Sequence, residues 1–221
     1  MDNFGEVGDR IRAVVKDVFH IMYYTSDVWN GDRTTWMGVP VYQTPLDLWV
    51  LQEILWETMP DYLIETGSGK GGSALYDVSV WPGKVISIDN REQFDPQVTH
   101  ERIEYLAGSS IDPDLVASVK ERIRGKKVMV YLDSDHRPEH VRAELETWGP
   151  IVTEECYMIV HDTNLNGRPV SNGFHQGLTG LDPGLAVEEF LKLHPEFVAD
   201  KSREKFMLTF SPNGFLKKVP R

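Results

Sequence analysis

The sequence predicts an α/β fold in which a mostly parallel β-sheet is covered by helices on both faces. Short apolar runs alternate with helical segments from residue 59 onwards, which is the pattern of parallel strands joined by crossover helices. The first of these runs, Tyr62-Leu63-Ile64, leads into a turn with four glycines among six residues, and a helical segment follows from Ser73. A strand, a glycine-rich turn and a helix in that order open the nucleotide-binding type of α/β unit.

Composition predicts one soluble domain without a nucleic-acid or membrane partner. The 221 residues are 41% hydrophobic, so we expect a single domain with N-terminal helices and a substrate lid over residues 1–58 and a cofactor-binding core over residues 59–221. The formal net charge of −11 argues against a phosphate-backbone partner, which requires clustered Lys and Arg. The one cysteine, Cys156, excludes an internal disulfide and suits the cytoplasm. Neither an apolar run of membrane-spanning length nor a signal-peptide pattern occurs.

The N-terminal part is predicted to hold two helices joined by an aromatic segment. Seven apolar residues lie at helical spacing between about residues 6 and 24: Val7, Ile11, Val14, Val15, Val18, Phe19 and Met22. This stripe suits either core packing or a dimer surface, so a homo-oligomer is one interpretation. The segment over residues 23–38 is rich in Trp and Tyr but has no clear period. We interpret it as a lid over a ligand, with simple capping of the core as the alternative.

The remaining elements follow from apolar runs, caps and turns. Strands are expected at residues 62–65, 84–89, 103–108, 127–132 and 157–160, with terminal strands at 197–199, 206–210 and 214–218. Helices are expected from Pro45 (N-cap Thr44) to about Thr58, up to about Val80, from Pro113 (N-cap Asp112), over residues 138–148 and from about Pro183. The turn Ser211-Pro212-Asn213-Gly214 predicts that the last two strands form an antiparallel hairpin.

The glycine-rich turn is a candidate cofactor cradle, because glycines let a ligand approach backbone N–H groups closely. Its spacing, Gly67-x-Gly69-x-Gly71-Gly72, departs from both the dinucleotide pattern and the P-loop, which argues against NAD and ATP. Glu65 at the strand end would repel a phosphate and favours a cofactor that presents an amino group or a hydroxyl, a description that S-adenosylmethionine (SAM) fits. Asp89 ends the second strand, where a carboxylate accepts hydrogen bonds from a ribose. The alternative is a loop that only closes a tight turn.

Five polar residues fall at the carboxyl ends of the predicted strands, where parallel sheets bind ligands: Glu65, Asp89, Ser109, Asp133 and Asp162. Asp133 and Asp162 follow neighbouring strands, and converging carboxylates repel each other unless a cation or a proton lies between them. Oxygen ligands suit Mg²⁺, and an added imidazole keeps Mn²⁺ or Fe²⁺ among the candidates. The alternative is that these acids only cap helices and end strands.

His136 is the candidate general base. It lies three residues after Asp133. The ordinary histidine pKa of about 6.5 allows its side chain to take a proton from a hydroxyl that a metal has acidified. The alternative is a histidine on a surface loop.

Together these motifs resemble the cephalosporin hydroxylase-like family of SAM-dependent O-methyltransferases, which includes the rhamnosyl O-methyltransferases. The resemblance covers roughly residues 36–218 through Trp36-x-Gly38, Pro45-x-Asp47, Ile64-Glu65-Thr66-Gly67, Gly71-Gly72-Ser73, Ile88-Asp89, Gly108-Ser109-Ser110, Leu132-Asp133-Ser134-Asp135-His136 and His161-Asp162-Thr163-Asn164-x-Asn166-Gly167. It implies a Rossmann-like class I methyltransferase fold with a mostly parallel seven-stranded sheet and an antiparallel C-terminal hairpin.

The resemblance also implies roles for individual residues. It places the cofactor against Glu65, Thr66, Gly67, Ser68, Ser73, Asp89, Ser109, Ser110 and Asp133. It implies Mg²⁺ held by Asp133 and Asp162, with His161 at the position where the family's usual third ligand is an acid; whether His161, Thr163 or Asn164 completes the set stays open. His136 occupies the place of a basic residue in related metal-dependent O-methyltransferases.

The expected reaction is methyl transfer from SAM to a hydroxyl, or a carboxylate, of a small molecule such as a secondary metabolite or a sugar. The metal would lower the pKa of the acceptor oxygen, with His136 and Asp133 as the catalytic residues. Candidate substrate contacts are Trp36, Gln43, Asn164 and Arg168. Two other functions stay open: a metal-dependent hydroxylase or oxygenase, which would need a triad of two histidines and a carboxylate, and a non-catalytic SAM-binding protein. The loop spacing disfavours a nicotinamide dehydrogenase.

Overall fold

The fold combines a sheet and helices as predicted. A computed structural model describes residues 5–30, 32–90, 95–165 and 180–220. The helices in these ranges are α1 (Gly5–Tyr24), α2 (Asp27–Asn30), α3 (Pro45–Thr58), α4 (Gly72–Val80), α5 (Pro113–Arg122), α6 (Pro138–Trp148) and α7 (Pro183–Leu193). The strands are β1 (Thr35–Trp36), β2 (Val39–Pro40), β3 (Tyr62–Thr66), β4 (Lys84–Asp89), β5 (Ile103–Ala107), β6 (Val128–Leu132), β7 (Tyr157–Val160), β8 (Phe197–Ala199) and β9 (Phe215–Lys218). Within the described ranges, none of the helices is long and apolar enough to pass through a bilayer.

Seven strands form the main sheet, in the order β5-β4-β3-β6-β7-β9-β8. The five strands from β5 to β7 are parallel, whereas β9 runs antiparallel to both of its neighbours. In the centre, Ile64 of β3 lies beside Ile86 of β4 and Val130 of β6. The chain leaves β3 toward one edge and then returns to add β6 on its other side. Such a reversal opens a crevice beyond the carboxyl ends of the two adjacent strands.

Apolar side chains on both faces hold the sheet. One face packs against α5, α6 and α7, with Trp148 and Phe190 in the shared core. The other face packs against α3 and α4 through Leu55 and Val78. Because a fully buried Leu or Phe side chain contributes about 2 kcal/mol by leaving water, the two layers fix the strands and therefore the positions of the residues that follow them.

The predicted helix starts are confirmed by their caps. Thr44 Oγ1 accepts the N–H of Asp47 at 3.2 Å at the start of α3. Asp112 Oδ1 accepts the N–H groups of Asp114 and Leu115 at 3.1 and 2.9 Å at the start of α5. Both caps satisfy backbone donors that have no partner inside the helix.

The antiparallel hairpin at the C-terminus is confirmed, but one of its predicted strands is wrong. Residues 206–210 form no strand; β8 pairs with β9, and residues 200–214 connect them. The cause lies in α3, where buried Asp47 accepts the N–H of Phe210 at 2.8 Å and the hydroxyl of Thr209 at 2.6 Å. These bonds draw the apolar run away from the sheet, and the Phe210 ring packs against Trp29 instead.

The N-terminal segment is more regular than its sequence indicated. Residues 23–38 contain α2 and the first strand of a small antiparallel pair, β1 and β2. Trp29 of α2 lies against Tyr24 at the end of α1, with ring centroids 5.0 Å apart. The last turn of α1 thus joins the body of the protein, whereas most of its earlier side chains are exposed.

Candidate functional site

A cavity of about 610 Å³ lies beyond the carboxyl ends of β3 and β6. Three parts of the chain wall it: the glycine-rich turn, the residues that follow the central strands, and the N-terminal segment. Its lining includes Trp29, Tyr42, Gln43, Gly67, Ser68, Ser73, Asp89, Ser109, Ser110, Asp133, His136, Asp162 and Leu181. The predicted cofactor positions therefore share one cavity, except for Glu65 and Thr66.

The glycine-rich turn has its shape because two strand ends approach closely. Gly67 has φ +90°, and a Cβ there would lie 1.9 Å from the backbone oxygen of Asp133. At Gly72 a Cβ would lie 2.0 Å from the backbone oxygen of Pro40. Side chains at either position would collide with rigid backbone, so both residues must be glycine.

Asp89 ends β4 and holds the turn in place. Its Oδ2 accepts the N–H groups of Ser68 at 2.9 Å and Gly69 at 3.0 Å, and its Oδ1 accepts the N–H of Asn90 at 2.7 Å. Burial raises the pKa of Asp89 above its usual value, although these three backbone donors act in the opposite direction. The carboxylate lines the cavity and also fixes the loop on which a ligand would lie.

Glu65 and Thr66 lie behind the cavity wall. The Glu65 carboxyl is 1% exposed and accepts the hydroxyls of Ser73 and Ser87. Burial outweighs these hydrogen bonds and raises the pKa of Glu65 to about 7. Thr66 Oγ1 has no hydrogen-bond partner among the described residues. Glu65 therefore reaches the cavity lining indirectly, through Ser73 and through Ser87, which bonds Ser68.

Ser110 on the opposite wall is fixed by α6. Its hydroxyl donates to Glu144 Oε1 at 2.5 Å and lies 3.2 Å from Nε2 of His140. Ser109, its neighbour, also lines the cavity. Both serines follow β5, as the sequence predicted.

Two aspartates and two histidines meet at the base of the cavity, where Asp133, His136 and Asp162 line it and His161 is buried behind them. Nδ1 of His161 lies 3.1 Å from Asp133 Oδ1 and 3.5 Å from Asp162 Oδ1. Nε2 of His136 lies 3.0 Å from Asp162 Oδ2. One ligand atom from each of Asp133, His136 and Asp162 can be chosen so that all three lie within 4.8 Å of one another. The structure thus brings the predicted metal ligands and the predicted base together, but the group whose ligand atoms could hold an ion contains His136, the predicted base, and not His161.

The electrostatics of this group are those of tightly paired charges. Burial alone would raise the pKa of Asp162, but the neighbouring His161 and His136 hold it well below its usual range. Burial lowers the pKa of each histidine, yet the carboxylates outweigh it, so the pKa of His136 is raised and that of His161 stands well above its usual value. Without another cation, these histidines supply the positive charge that two adjacent carboxylates require.

Tyr24 is a site residue that the sequence did not reveal. Its hydroxyl donates to Asp162 Oδ1 at 2.8 Å, and its side chain is 2% exposed. The two residues are 138 positions apart, and Tyr24 stands at the end of the first predicted helix without a chemical motif. Only the observation that an aromatic N-terminal segment must fold over something hinted at this contact.

The predicted substrate contacts are only partly brought to the cavity. Gln43 lines it, is 2% exposed, and has an Oε1 without a hydrogen-bond partner in the described part of the chain. Trp36 instead donates to Ser79 at 3.2 Å, and Asn164 bonds His20 at 2.9 Å; neither lines the cavity. Arg168 lies outside the described residues. Trp29, Tyr42 and Leu181 complete this wall.

Comparison with solved structures places the fold. A structure of cmcI-D160 with Mg and SAM superposes with a TM-score of 0.60 at 20% identity, covering 86% of this chain and 78% of that one. MycE methyltransferase from the mycinamycin biosynthetic pathway, in complex with Mg and SAH, gives a TM-score of 0.53 at 18% identity, covering 88% of this chain and 54% of that one. These likenesses confirm a class I methyltransferase fold.

Comparison of sequences places the family. The chain is 36% identical over 213 residues to the rhamnosyl O-methyltransferase of Mycobacterium leprae (strain TN), which covers 91% of this chain and 90% of the relative. It is also 36% identical over 214 residues to that of Mycobacterium bovis (strain BCG / Pasteur 1173P2), covering 91% and 84%. The family model for rhamnosyl O-methyltransferase/CmcI matches residues 28–219. The chain therefore belongs to the rhamnosyl O-methyltransferase/CmcI family.

Proposed function

We propose that this chain methylates a hydroxyl of a small molecule at the cavity beyond β3 and β6. Membership of its family makes it a SAM-dependent O-methyltransferase. The observation that supports the site is that Asp133, His136 and Asp162 meet at the base of a cavity whose wall is the glycine-rich turn, with His161 buried beside them. A cavity of this volume suits a ligand of cofactor size.

The donor is proposed to lie along the wall formed by Gly67, Ser68, Ser73 and Asp89, with Ser109 and Ser110 facing it. SAM carries a sulfonium and an ammonium group, and this cavity is lined by several acids, Asp89, Asp133, Asp135 and Asp162 among them. Acidic walls favour a cationic ligand over a phosphate-bearing one. Glu65 acts through Ser73, whose hydroxyl it holds, and Thr66 shapes the same wall from behind.

The donor set fits a divalent cation. Asp133 and Asp162 offer carboxylate oxygens, and Nδ1 of His161 faces both of them. We assign these three residues as the ligands; two carboxylates suit Mg²⁺, and the imidazole also admits Mn²⁺ or Fe²⁺. A cation bound there supplies Lewis acidity that lowers the pKa of an acceptor hydroxyl.

His136 is proposed as the general base. Its ring is 6% exposed, and Asp162 Oδ2 lies 3.0 Å from Nε2 and so fixes the orientation of the imidazole. A ring held in this way can accept the proton that the acceptor hydroxyl releases, because the adjacent carboxylate stabilises the resulting imidazolium. Asp133 contributes by holding the cation.

The acceptor is proposed to be a sugar hydroxyl on a small molecule, in line with the rhamnosyl O-methyltransferases to which the chain is similar. Trp29 and Tyr42 line the cavity beside Gln43. Aromatic rings can cover the apolar face of a sugar, and the buried amide oxygen of Gln43, which has no partner within the described ranges, can accept a hydroxyl. Arg168, Trp36 and Asn164 remain proposed substrate contacts.

Self-association and location belong to the same proposal. We infer a homo-oligomer, supported by exposed apolar residues on α1. We also infer a cytoplasmic location, supported by the one cysteine of the sequence.

One matched pair of variants tests the dependence on a cation. We expect Asp133→Asn to lower Mn²⁺ affinity, measured by calorimetry, at least about tenfold, and to abolish SAM-dependent methylation of a rhamnoside. Asp135→Asn is the control, because Asp135 lines the same cavity but its carboxylate is engaged by Arg137. Full activity of Asp133→Asn in the presence of a chelator would remove the metal from the reaction.

A second pair separates the ligand from the base. His161→Gln is expected to weaken Mn²⁺ binding about tenfold or more. His136→Gln is expected to leave Mn²⁺ binding unchanged while kcat falls about 100-fold or more. The opposite pattern would exchange the two roles, and unchanged binding and turnover in both variants would contradict the assignment.

A further inference from the structure

One face of α6 supports the part of the cavity wall that follows β5 and β6. His140, Glu144 and Trp148 are spaced four residues apart, so they lie on the same side of the helix. The indole N–H of Trp148 donates to the backbone oxygen of Ser110 at 3.1 Å. Glu144 lies behind this wall and is only 1% exposed. The methyl transfer proposed above gives this buried acid no role.

One oxygen of Glu144 accepts hydrogen bonds from two hydroxyls that line the cavity. Its Oε1 accepts the O–H of Ser110 at 2.5 Å and that of Ser134 at 2.8 Å. A serine hydroxyl has one proton and two lone pairs, so neither serine has a proton left for a ligand. The wall therefore offers a ligand only lone pairs at these two positions.

His140 supports the same arrangement. Its Nε2 lies 3.2 Å from Ser110 Oγ and 3.6 Å from Glu144 Oε1. Because the proton of Ser110 already lies on Glu144, both of these neighbours are acceptors, and Nε2 is the donor. Ser110 Oγ thus keeps one lone pair for the cavity, and Ser134 Oγ keeps two.

The strand order indicates which part of SAM reaches these serines. Asp89, the predicted ribose contact, follows β4, whereas the proposed cation ligands follow β6 and β7. A donor whose methyl group points toward the cation extends past Asp89 in the opposite direction, toward β5 at the edge of the sheet. Ser110 follows β5, and Glu144 joins it to Ser134. The adenine of the donor is therefore expected at these two serines.

We propose that Glu144 is a positioning residue that makes this wall select the exocyclic amino group of adenine. The inference rests on the donor site proposed above. The amino group has two N–H donors, and the Oγ atoms of Ser110 and Ser134 lie at most about 5 Å apart because both bond the same oxygen. Each serine can accept one N–H.

A base with a carbonyl oxygen in place of the amino group is disfavoured by the same wall. Its lone pairs would face the lone pairs of Ser110 and Ser134, which repel them. Either serine could donate to the carbonyl only by withdrawing its proton from Glu144, and the buried acid would then lose a hydrogen bond. A purely structural Glu144, which only tied α6 to the wall, would not distinguish the two bases.

Deamination of the product tests the selection. S-adenosylhomocysteine (SAH) carries the amino group, S-inosylhomocysteine carries a carbonyl oxygen in its place, and calorimetry gives the affinity for each. The wild-type chain is expected to bind SAH at least about 30-fold more tightly. Glu144→Met keeps the length of the side chain but removes the acceptor, so the hydroxyl of Ser134 can turn into the cavity and donate to the carbonyl. We expect the preference to fall to about threefold or less, because S-inosylhomocysteine binds more tightly.

Two further variants separate selection from folding. Ser134→Ala removes one acceptor and should weaken SAH binding about tenfold, while S-inosylhomocysteine binds at least as well as before. Glu139→Met, at an exposed position on the same helix, is the matched control and should keep the wild-type preference. The preference is a ratio of two affinities of the same folded protein, so a loss of stability alone does not change it. If Glu144→Met does not fold, Ser134→Ala decides.

Three results would overturn the inference. Equal affinities of the wild-type chain for the two compounds would show that the wall does not select, although the donor site would stand. A preference that survives both Glu144→Met and Ser134→Ala would mean that the amino group is contacted elsewhere and that Glu144 is only structural. A wild-type chain that binds neither compound would contradict the donor site as well.

Discussion

Gly67 shows how one residue sets the distance between two strand ends. Its left-handed backbone and the backbone oxygen of Asp133, 1.9 Å from where a Cβ would lie, leave no room for a side chain. From the sequence, we expected this glycine to let a ligand approach the backbone. The structure adds that β6 itself approaches, which no local pattern reveals because Asp133 is distant in the sequence.

Gly67→Ala is therefore expected to lower the free energy of unfolding by about 4 kcal/mol, since the backbone strain and the collision both contribute. SAM binding should fall with it, because the loop must move. The control is Gly125→Ala, which has a similar φ of +71° but nothing within 4 Å of its Cβ, and which should cost only about 1 kcal/mol. Urea unfolding measures the free energy of unfolding of both variants. Equal losses in the two variants would show that the backbone around residue 67 shifts and relieves the collision.

Glu65 makes stability depend on pH. Its pKa is about 7 in the folded protein, compared with 4.5 as the ordinary value, because it is buried. The folded state therefore binds more protons between these two pH values, so stability is full below pH 4.5 and is lost as the pH rises through about 7. Protonated Glu65 contributes up to about 3 kcal/mol to the free energy of unfolding at low pH.

Glu65→Gln is expected to flatten the decline in urea stability between pH 5 and pH 8, a window that brackets the folded pKa of about 7. Some slope should remain, because burial also raises the pKa of Asp77. Glu101→Gln, at an exposed position, is the control and should leave the slope unchanged. A Glu65→Gln profile as steep as that of the wild type would mean that Glu65 is ionised in the folded state.

At the residue scale, the sequence predicted the acids but not their partners. Asp89, Asp133 and Asp162 could be placed because a parallel sheet gathers its strand ends at one edge. That Asp89 would bind its own glycine loop, and that Tyr24 would bind Asp162, depends on side-chain packing between distant segments, which periodicity does not encode.

At the scale of elements, α1 joins two surfaces of different kinds. One face of it exposes apolar residues from Ile11 to Met22, whereas the other face of its last turns places Tyr24 on Asp162 and His20 beside Asn164. A shift of the helix would therefore displace a hydrogen bond at the proposed cation site.

Tyr24→Phe should weaken Mn²⁺ binding about tenfold, since a hydrogen bond to a charged group is worth about 1.5–3 kcal/mol and bonds to ligating carboxylates orient them. Tyr23→Phe, one position earlier in the same turn, is the matched control and should bind the ion normally. Calorimetric titration gives the Mn²⁺ affinity of both variants. Equal affinities would mean that Asp162 is held sufficiently by its histidines.

The element that the sequence misplaced is the run at residues 206–210. Its residues, Phe206-Met207-Leu208-Thr209-Phe210, form a short apolar run, and such a run indicates burial without deciding between a strand and another structure. Here the burying surface is the aromatic cluster of Tyr24 and Trp29 rather than a sheet. The capped helices and the buried parallel strands were predictable because their signals are local.

At the scale of the whole molecule, Asp47 links the N-terminal region to the C-terminal one. It lies on α3 and, although 5% exposed, accepts hydrogen bonds from Thr209 and Phe210, more than 160 residues away. Burial raises its pKa despite these donors. This contact fixes the connection between β8 and β9 against the N-terminal helices.

Asp47→Ala is expected to destabilise the protein by about 3 kcal/mol, because the buried N–H of Phe210 loses its acceptor. Asp47→Asn keeps one carbonyl oxygen and should cost about 1 kcal/mol. Thermal unfolding of both variants gives the comparison. Identical melting temperatures would indicate that water or a neighbouring group replaces the carboxylate.

Cys156, which immediately precedes β7, is the one thiol of the sequence and is completely buried. Burial raises its pKa, so in the closed protein it is neither accessible nor nucleophilic. A maleimide dye can consequently react only during the brief intervals when the middle of the sheet separates from its covering helices. The labelling rate at native pH therefore measures how often these openings occur. A fluorophore coupled to a cysteine introduced on the surface will label that position alone, because Cys156 stays protected in the closed protein.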